Sequence, residues 1–171
     1  MMTPLDFPHV PSDLMPALEA ALGRHDGAKA KLADFKKEYN AVKAKVKRLE
    51  KEMAAMDLVE DRFLFNFMNN TVQLAVNKFV PIDKKLMRFQ QEPERYCKDS
   101  LKALRSSNGM ERNMTAWHID GLYRFGHRTD DLLHIVSDML RIAKWHLKKV
   151  DDHKKYVRKL ARNRHLWLGR P

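Results

Sequence analysis

The sequence predicts an all-α, elongated fold, and three observations predict it. Glycine and proline, the strongest helix breakers, leave two long stretches untouched, residues 28–80 and 127–168. Within the first, Leu32, Phe35, Tyr39, Val42, Val46, Leu49, Met53 and Met56 recur at alternating spacings of three and four, the heptad signature of a helix with an apolar seam. The composition fits as well. Charged residues make up 32% of the chain at a mean hydropathy of −0.58, as long helices with much exposed surface require.

From the N-terminus, Pro4, Pro8 and Pro11 predict an extended arm over 1–12, because each proline fixes its own backbone and biases the preceding residue away from helix. Asp13 caps a short helix to about Leu22, which "GRHDG" ends. A long heptad-bearing helix then runs over about 28–80. Its segment 28–58 is coiled-coil-like and its seam is the expected protein interface. The flanking charges leave the partner open: in a parallel self-pairing Glu38 with Lys43 and Lys45 with Glu50 attract, whereas Lys31 with Lys36 and Glu52 with Asp57 repel. An antiparallel hairpin and a foreign helix remain equally open.

Further along this helix, Phe63, Leu64, Phe67, Met68, Val72, Ala75, Val76 and Phe79 cover more than one face, so the core is expected here, ahead of a stop at Pro81. Short middle helices follow, from Pro93 to Ser106 and from Glu111 to Phe125. Thr129 or Asp130 caps a long C-terminal helix over about 130–166. Its seam runs Leu133, Val136, Leu140, Ala143, Leu147 and Val150, and after Val150 keeps its spacing but takes up Lys154 and Arg164. A second stripe of Ile135, Met139, Ile142, His146, His153, Tyr156 and Leu160 widens the apolar face. The chain thus divides into the arm 1–12, a helical body 13–150 and a basic helical tail 151–171.

Charge is concentrated in that last part. The net charge is +11, yet residues 1–57 hold ten Lys and Arg against nine Asp and Glu, residues 58–140 twelve against eleven, and residues 141–171 eleven against Asp151 and Asp152 alone. A localised excess of this kind is the electrostatic footprint of a polyanion partner. Lys148, Lys149, Lys154, Lys155, Arg158, Lys159, Arg162, Arg164 and Arg170 are the expected phosphate contacts, and Trp167 the residue expected to stack on an unpaired base. Leu160, Leu166, Trp167 and Leu168 among these cations also suit an anionic lipid surface.

Other chemistry is not indicated. His127 with Asp131 and His134 with Asp138 have helical ligand spacing, but no third ligand converges and no HExxH occurs. Neither a phosphate-binding glycine loop nor a nucleophile elbow is present. No metal, cofactor or enzymatic activity is therefore expected. The longest uncharged run, Phe63 to Asn77, is 15 residues, short of the about 20 that an integral membrane span needs. A lone Cys97 suggests an intracellular, reducing compartment. The first 20 residues hold no Lys or Arg, which argues against a secretory leader or an ordinary mitochondrial presequence; the mitochondrial matrix stays open through an uncleaved signal.

One segment, "LLHIVSDMLRIAKWHLKKVDDHKKY" at residues 132–156, resembles the last helices of the small-subunit ribosomal protein family that binds a three-way junction in its rRNA. The stretch before it lacks that family's basic, histidine-rich turn, so no residue role is carried over. The expected function is that of a non-enzymatic structural subunit of a ribonucleoprotein assembly, a ribosome or mitochondrial ribosome, binding rRNA through the basic helix and protein subunits through the heptad seam. The alternative is a helical accessory subunit of a mitochondrial respiratory or ATP-synthase complex, its tail meeting anionic lipid.

Overall fold

A computed structural model describes residues 2–58 and 62–163. The fold is all-α. Four helices account for most of it: α1 (Met15–Leu58), α2 (Arg62–Phe89), α3 (Arg95–Ser106) and α4 (Arg112–Arg162), with two 3₁₀ turns, Pro4–Asp6 and Ser12–Leu14, ahead of them. A π-helical turn, Gln90–Glu94, joins α2 to α3.

Several predicted boundaries move because burial outweighs a local preference. The heptad helix is Met15–Leu58 rather than 28–80, its predicted second half belonging to α2, and it takes in Gly23 and Gly27, both of them exposed. It continues the seam backward through Leu18, Ala21, His25 and Ala28, all buried. Pro81 does not stop α2, which runs on to Phe89. The proline is exposed, whereas Phe79, Ile82, Leu86 and Phe89 are buried, so their packing offsets the about 3 kcal/mol that an interior proline costs. Pro93 leaves its mark instead: it has no N–H to return, and the chain widens there into the π turn. The two segments predicted as 111–125 and 130–166 are one helix, α4. Thr129 is no cap. It is fully buried and its hydroxyl donates to the Phe125 carbonyl at 2.7 Å. Within the arm predicted as extended over 1–12, Pro4–Asp6 form the first 3₁₀ turn and Phe7 and Val10 are buried, with the Arg105 guanidinium over the Phe7 ring at 5.7 Å.

The chain divides into two compact units, one of Met1–Lys36 with Lys84–Val136 and one of Lys37–Asp83 with Ser137–Pro171. In the first, α3 packs against the start of α4, with His118 Nδ1 3.0 Å from Ser100 Oγ and Tyr96 edge-on to Trp117. Arg24 spans from α1 to α4, reaching Asp130 at 3.4 Å and His127 Nδ1 at 3.0 Å. His25 is buried against Phe125, and burial pushes its pKa below the usual histidine range. Burial likewise pushes the Cys97 thiol up to about 12, which keeps it protonated and unreactive in the folded chain.

In the second unit α1, α2 and α4 form a three-helix bundle. Tyr39 stacks on Phe79 with ring centroids 5.4 Å apart and donates a hydrogen bond to Asp83, while Arg62 meets Asp57 across the connection at 3.0 Å. Thus α2 runs antiparallel to α1. By contrast α4 runs parallel to α1: Glu38 pairs with Lys144 at 3.2 Å, Lys45 with Asp151 at 2.6 Å and Glu52 with Lys154 at 2.6 Å. Partner numbers rise together, as in a parallel coiled coil whose edge charges face each other.

These pairs answer the question that the flanking charges left open. Lys31, Glu38, Lys45 and Glu52 lie seven apart along one edge of the seam and alternate in sign. Each has its opposite on α4, Lys31 with Asp130 at 3.3 Å in the first unit and the others as above. Such half-exposed pairs contribute about 0.2 to 1 kcal/mol each, yet they penalise a slipped register. Lys45→Glu and Asp151→Lys are each expected to lower stability by up to about 1 kcal/mol, and the double variant to recover most of it. Urea denaturation of all four members of the cycle reads the coupling, and strictly additive losses would mean that the pair does not set the register.

Candidate nucleic-acid interface

The same register decides which cations of α4 face outward. Leu140, Ala143, Leu147, Val150 and Val157 fill the buried seam of the second unit. Positions one residue after alternate seam members then form a line on the outer surface, and Arg141, Lys148, Lys155 and Arg162 occupy it, seven apart and all exposed. At 1.5 Å per residue this line is about 32 Å long. Lys148, Lys155 and Arg162 have no acidic partner among the described residues, and Arg141 has only Asp138 at 4.0 Å, both well exposed.

Around this line stand aromatic residues. Trp145 is 55% exposed and Tyr156 54%, and the Lys149 ammonium lies over the Trp145 ring at 5.0 Å. Toward the end of α4, Lys155, Arg158 and Arg162 border an open hollow of about 500 Å³ together with Leu64 and Ala161. A second hollow of about 430 Å³ shares Leu64 and Arg158 with it and is walled by Met56, Met68 and Val157. Three cations around one concavity concentrate positive potential, because field lines converge where low-dielectric walls enclose them. Beside it the apolar walls offer contact to an uncharged, flat group.

The sequence-predicted cations divide accordingly. Lys148, Lys149, Lys155, Arg158, Lys159 and Arg162 are exposed. Lys154 does not join them: it occupies a seam position and its ammonium is held by Glu52. Arg164, Trp167 and Arg170 lie outside the described residues. Arg141 and Trp145 were missed by a sequence reading centred on the tail, although counting back by sevens from Arg162 finds Arg141. The second apolar stripe also divides: Met139, His146, His153 and Leu160 are partly buried, with His153 donating to the Phe67 carbonyl, whereas Ile135, Ile142 and Tyr156 are exposed.

The seam residues predicted as a protein interface lie inside the chain. Leu32, Phe35, Tyr39, Val42, Val46, Leu49 and Met53 are all buried, and Met56 is half-buried in the wall of the apolar hollow. Their burial is supplied within the chain itself, so a foreign helix is not needed to cover them. Among the described residues no three His, Cys, Asp or Glu side chains come together as metal ligands, and no helix is long and apolar enough to cross a membrane.

Comparison with protein-family models, curated proteins and solved structures gives no match. The likeness of residues 132–156 to the ribosomal family therefore assigns no role to any residue.

Proposed function

We propose that this chain is a non-enzymatic RNA-binding subunit of a ribonucleoprotein assembly, which takes the sugar-phosphate backbone along the outer face of α4. The observation that supports it is the line Arg141, Lys148, Lys155 and Arg162, leading into the hollow bordered by Lys155, Arg158 and Arg162. Cations at intervals along one helix meet phosphates at intervals along a strand, and each contact gains by releasing condensed counterions. Trp145 and Tyr156 beside them suit stacking of unpaired bases. Placement in a ribosome, and in a mitochondrial one, extends this reading and rests on the charge excess of residues 141–171.

One observation favours a second reading, a subunit of a membrane-associated complex that meets anionic lipid. Ile142, Trp145 and Tyr156 are exposed next to lysines, the mixture found at a membrane interface. Against it, the basic line runs on to Arg162, six residues beyond Tyr156, and the seam-facing side is used up in the bundle.

Fluorescence anisotropy with a structured RNA carrying unpaired loops, measured from 0.05 to 0.5 M salt, and flotation with anionic vesicles separate the two. Saturable RNA binding is expected, with log K falling against log salt at a slope of about −3 or steeper for four or more contacts. Vesicle binding without RNA binding would transfer the assignment to lipid, and a flat salt dependence would remove the phosphate contacts from the argument.

A further inference from the structure

In the first unit, a cavity of about 260 Å³ lies between α4 and the π-helical turn with the start of α3. Its form follows from the sequence. Pro93 lines one side, in the turn where the missing proline N–H widens the helix. On the other side Gly121 lets the Tyr96 ring come close to α4: a Cβ there would come within 2.9 Å of Tyr96 Cε1. A glycine inside a helix costs about 1 kcal/mol relative to alanine, so this position is kept open at the expense of helix stability.

What lines the cavity is chemically selective. Tyr96 and Trp117 meet edge to face, with centroids 5.3 Å apart at 89°, and Trp117 is 52% exposed, a large aromatic surface left to solvent at the mouth. Arg124 and Arg128, one helical turn apart, also line it. Asp120 takes the Arg124 Nε at 2.8 Å, which orients that guanidinium and leaves its terminal nitrogens to other acceptors. Arg128 has no acidic partner among the described residues.

We infer that this cavity, where Tyr96 and Trp117 stand beside Arg124 and Arg128 over Gly121, binds a nucleoside monophosphate unit, the base on the aromatic pair and the phosphate on the two guanidiniums. Two guanidiniums one turn apart supply the forked donors that phosphate oxygens accept, and stacking on the aromatic pair gives a preference for a planar group. A cavity of about 260 Å³ lies just below the usual range of small-molecule sites, about 300 to 1,000 Å³, and leaves no room for a second such unit. The inference does not rest on the basic face of the second unit, since a free mononucleotide needs none of its residues.

Isothermal titration of the full chain with AMP tests it, with adenosine and inorganic phosphate as the half-ligands. One AMP per chain is expected, with each half-ligand at least about tenfold weaker. Arg128→Gln, an exposed substitution that leaves the fold intact, should weaken AMP about tenfold. Gly121→Val should abolish binding by pushing on the Tyr96 ring, with helicity by circular dichroism as its check. A competing 5′-phosphorylated oligonucleotide identifies the source: displacement of AMP assigns the site to the end of a polynucleotide, persistence of AMP to the free nucleotide, and both uphold a nucleotide site. Absence of saturable AMP binding, adenosine binding as tightly as AMP, or Arg128→Gln binding AMP as the parent chain does would each overturn it.

Discussion

Replacing Arg141, Lys148, Lys155 and Arg162 together with glutamine is expected to weaken RNA binding about two-hundredfold at 0.15 M salt and to make the salt slope shallower by about 3. Both figures follow from counterion release, which for single strands contributes about 0.7 to the slope per phosphate neutralised. The effect must shrink as salt rises, to less than about tenfold at 0.5 M, and that crossover separates lost charge contacts from a damaged fold. All four side chains are exposed, so helicity and the unfolding midpoint should stay near those of the parent chain. Lys154→Gln is the matched control. It removes the same charge from the same helix, but from a side chain held by Glu52 at 2.6 Å in the seam, and its expected effect on the slope is below about 0.3. Equal effects from a Lys155→Gln and a Lys154→Gln variant would show that total charge, and not the outward line, governs binding.

That contrast also marks how far the sequence could be read. Residue type identified both Lys154 and Lys155 as cations of a basic helix, but which way each faces depends on register, and register comes from partners that lie about a hundred residues away in the chain. Asp151, which looks misplaced among lysines, is the partner of Lys45. The apolar half of the seam was legible from Leu32 onward because large side chains repeat there every three and four residues. Its earlier turns were not, since Ala21, His25 and Ala28 carry too little apolar surface to announce a buried face. The seam's partner was illegible for the same reason as the register: self-pairing, hairpin and foreign helix all satisfy the same heptad, and only the charges of α4 distinguish them. The cavity at Gly121 left no sequence signal beyond a glycine in a helical pattern, which reads equally well as a weak stop.

Three helical glycines show how differently such positions respond, because a side chain added at each should have opposite effects depending on what its Cβ meets. Gly23 and Gly27 are exposed on α1, and a Cβ at either would meet nothing within 4 Å. Alanine at each should therefore stabilise the chain by about 1 kcal/mol, through helix propensity and a less flexible unfolded chain. Gly126 is the reverse. It is buried, and a Cβ there would sit 2.7 Å from Arg24 Nε and 2.9 Å from Arg24 Cδ, where the arginine crosses α4 to reach Asp130 and His127. Gly126→Leu must expel that side chain from its path, which forfeits its contacts and overpacks the site, for a loss of about 3 kcal/mol. In a chain of this length that corresponds to a fall of about 6 to 12 °C in Tm, against a rise of about 2 to 4 °C for each alanine at Gly23 or Gly27. Arg24→Ala separates the two parts of the loss. With the arginine shortened, Gly126→Leu gains the space that the side chain vacates, so the double variant should be more stable than the sum of the singles by at least about 1 kcal/mol. Strict additivity in thermal unfolding would mean that Arg24 does not occupy the path over Gly126, and that the glycine serves something other than its passage.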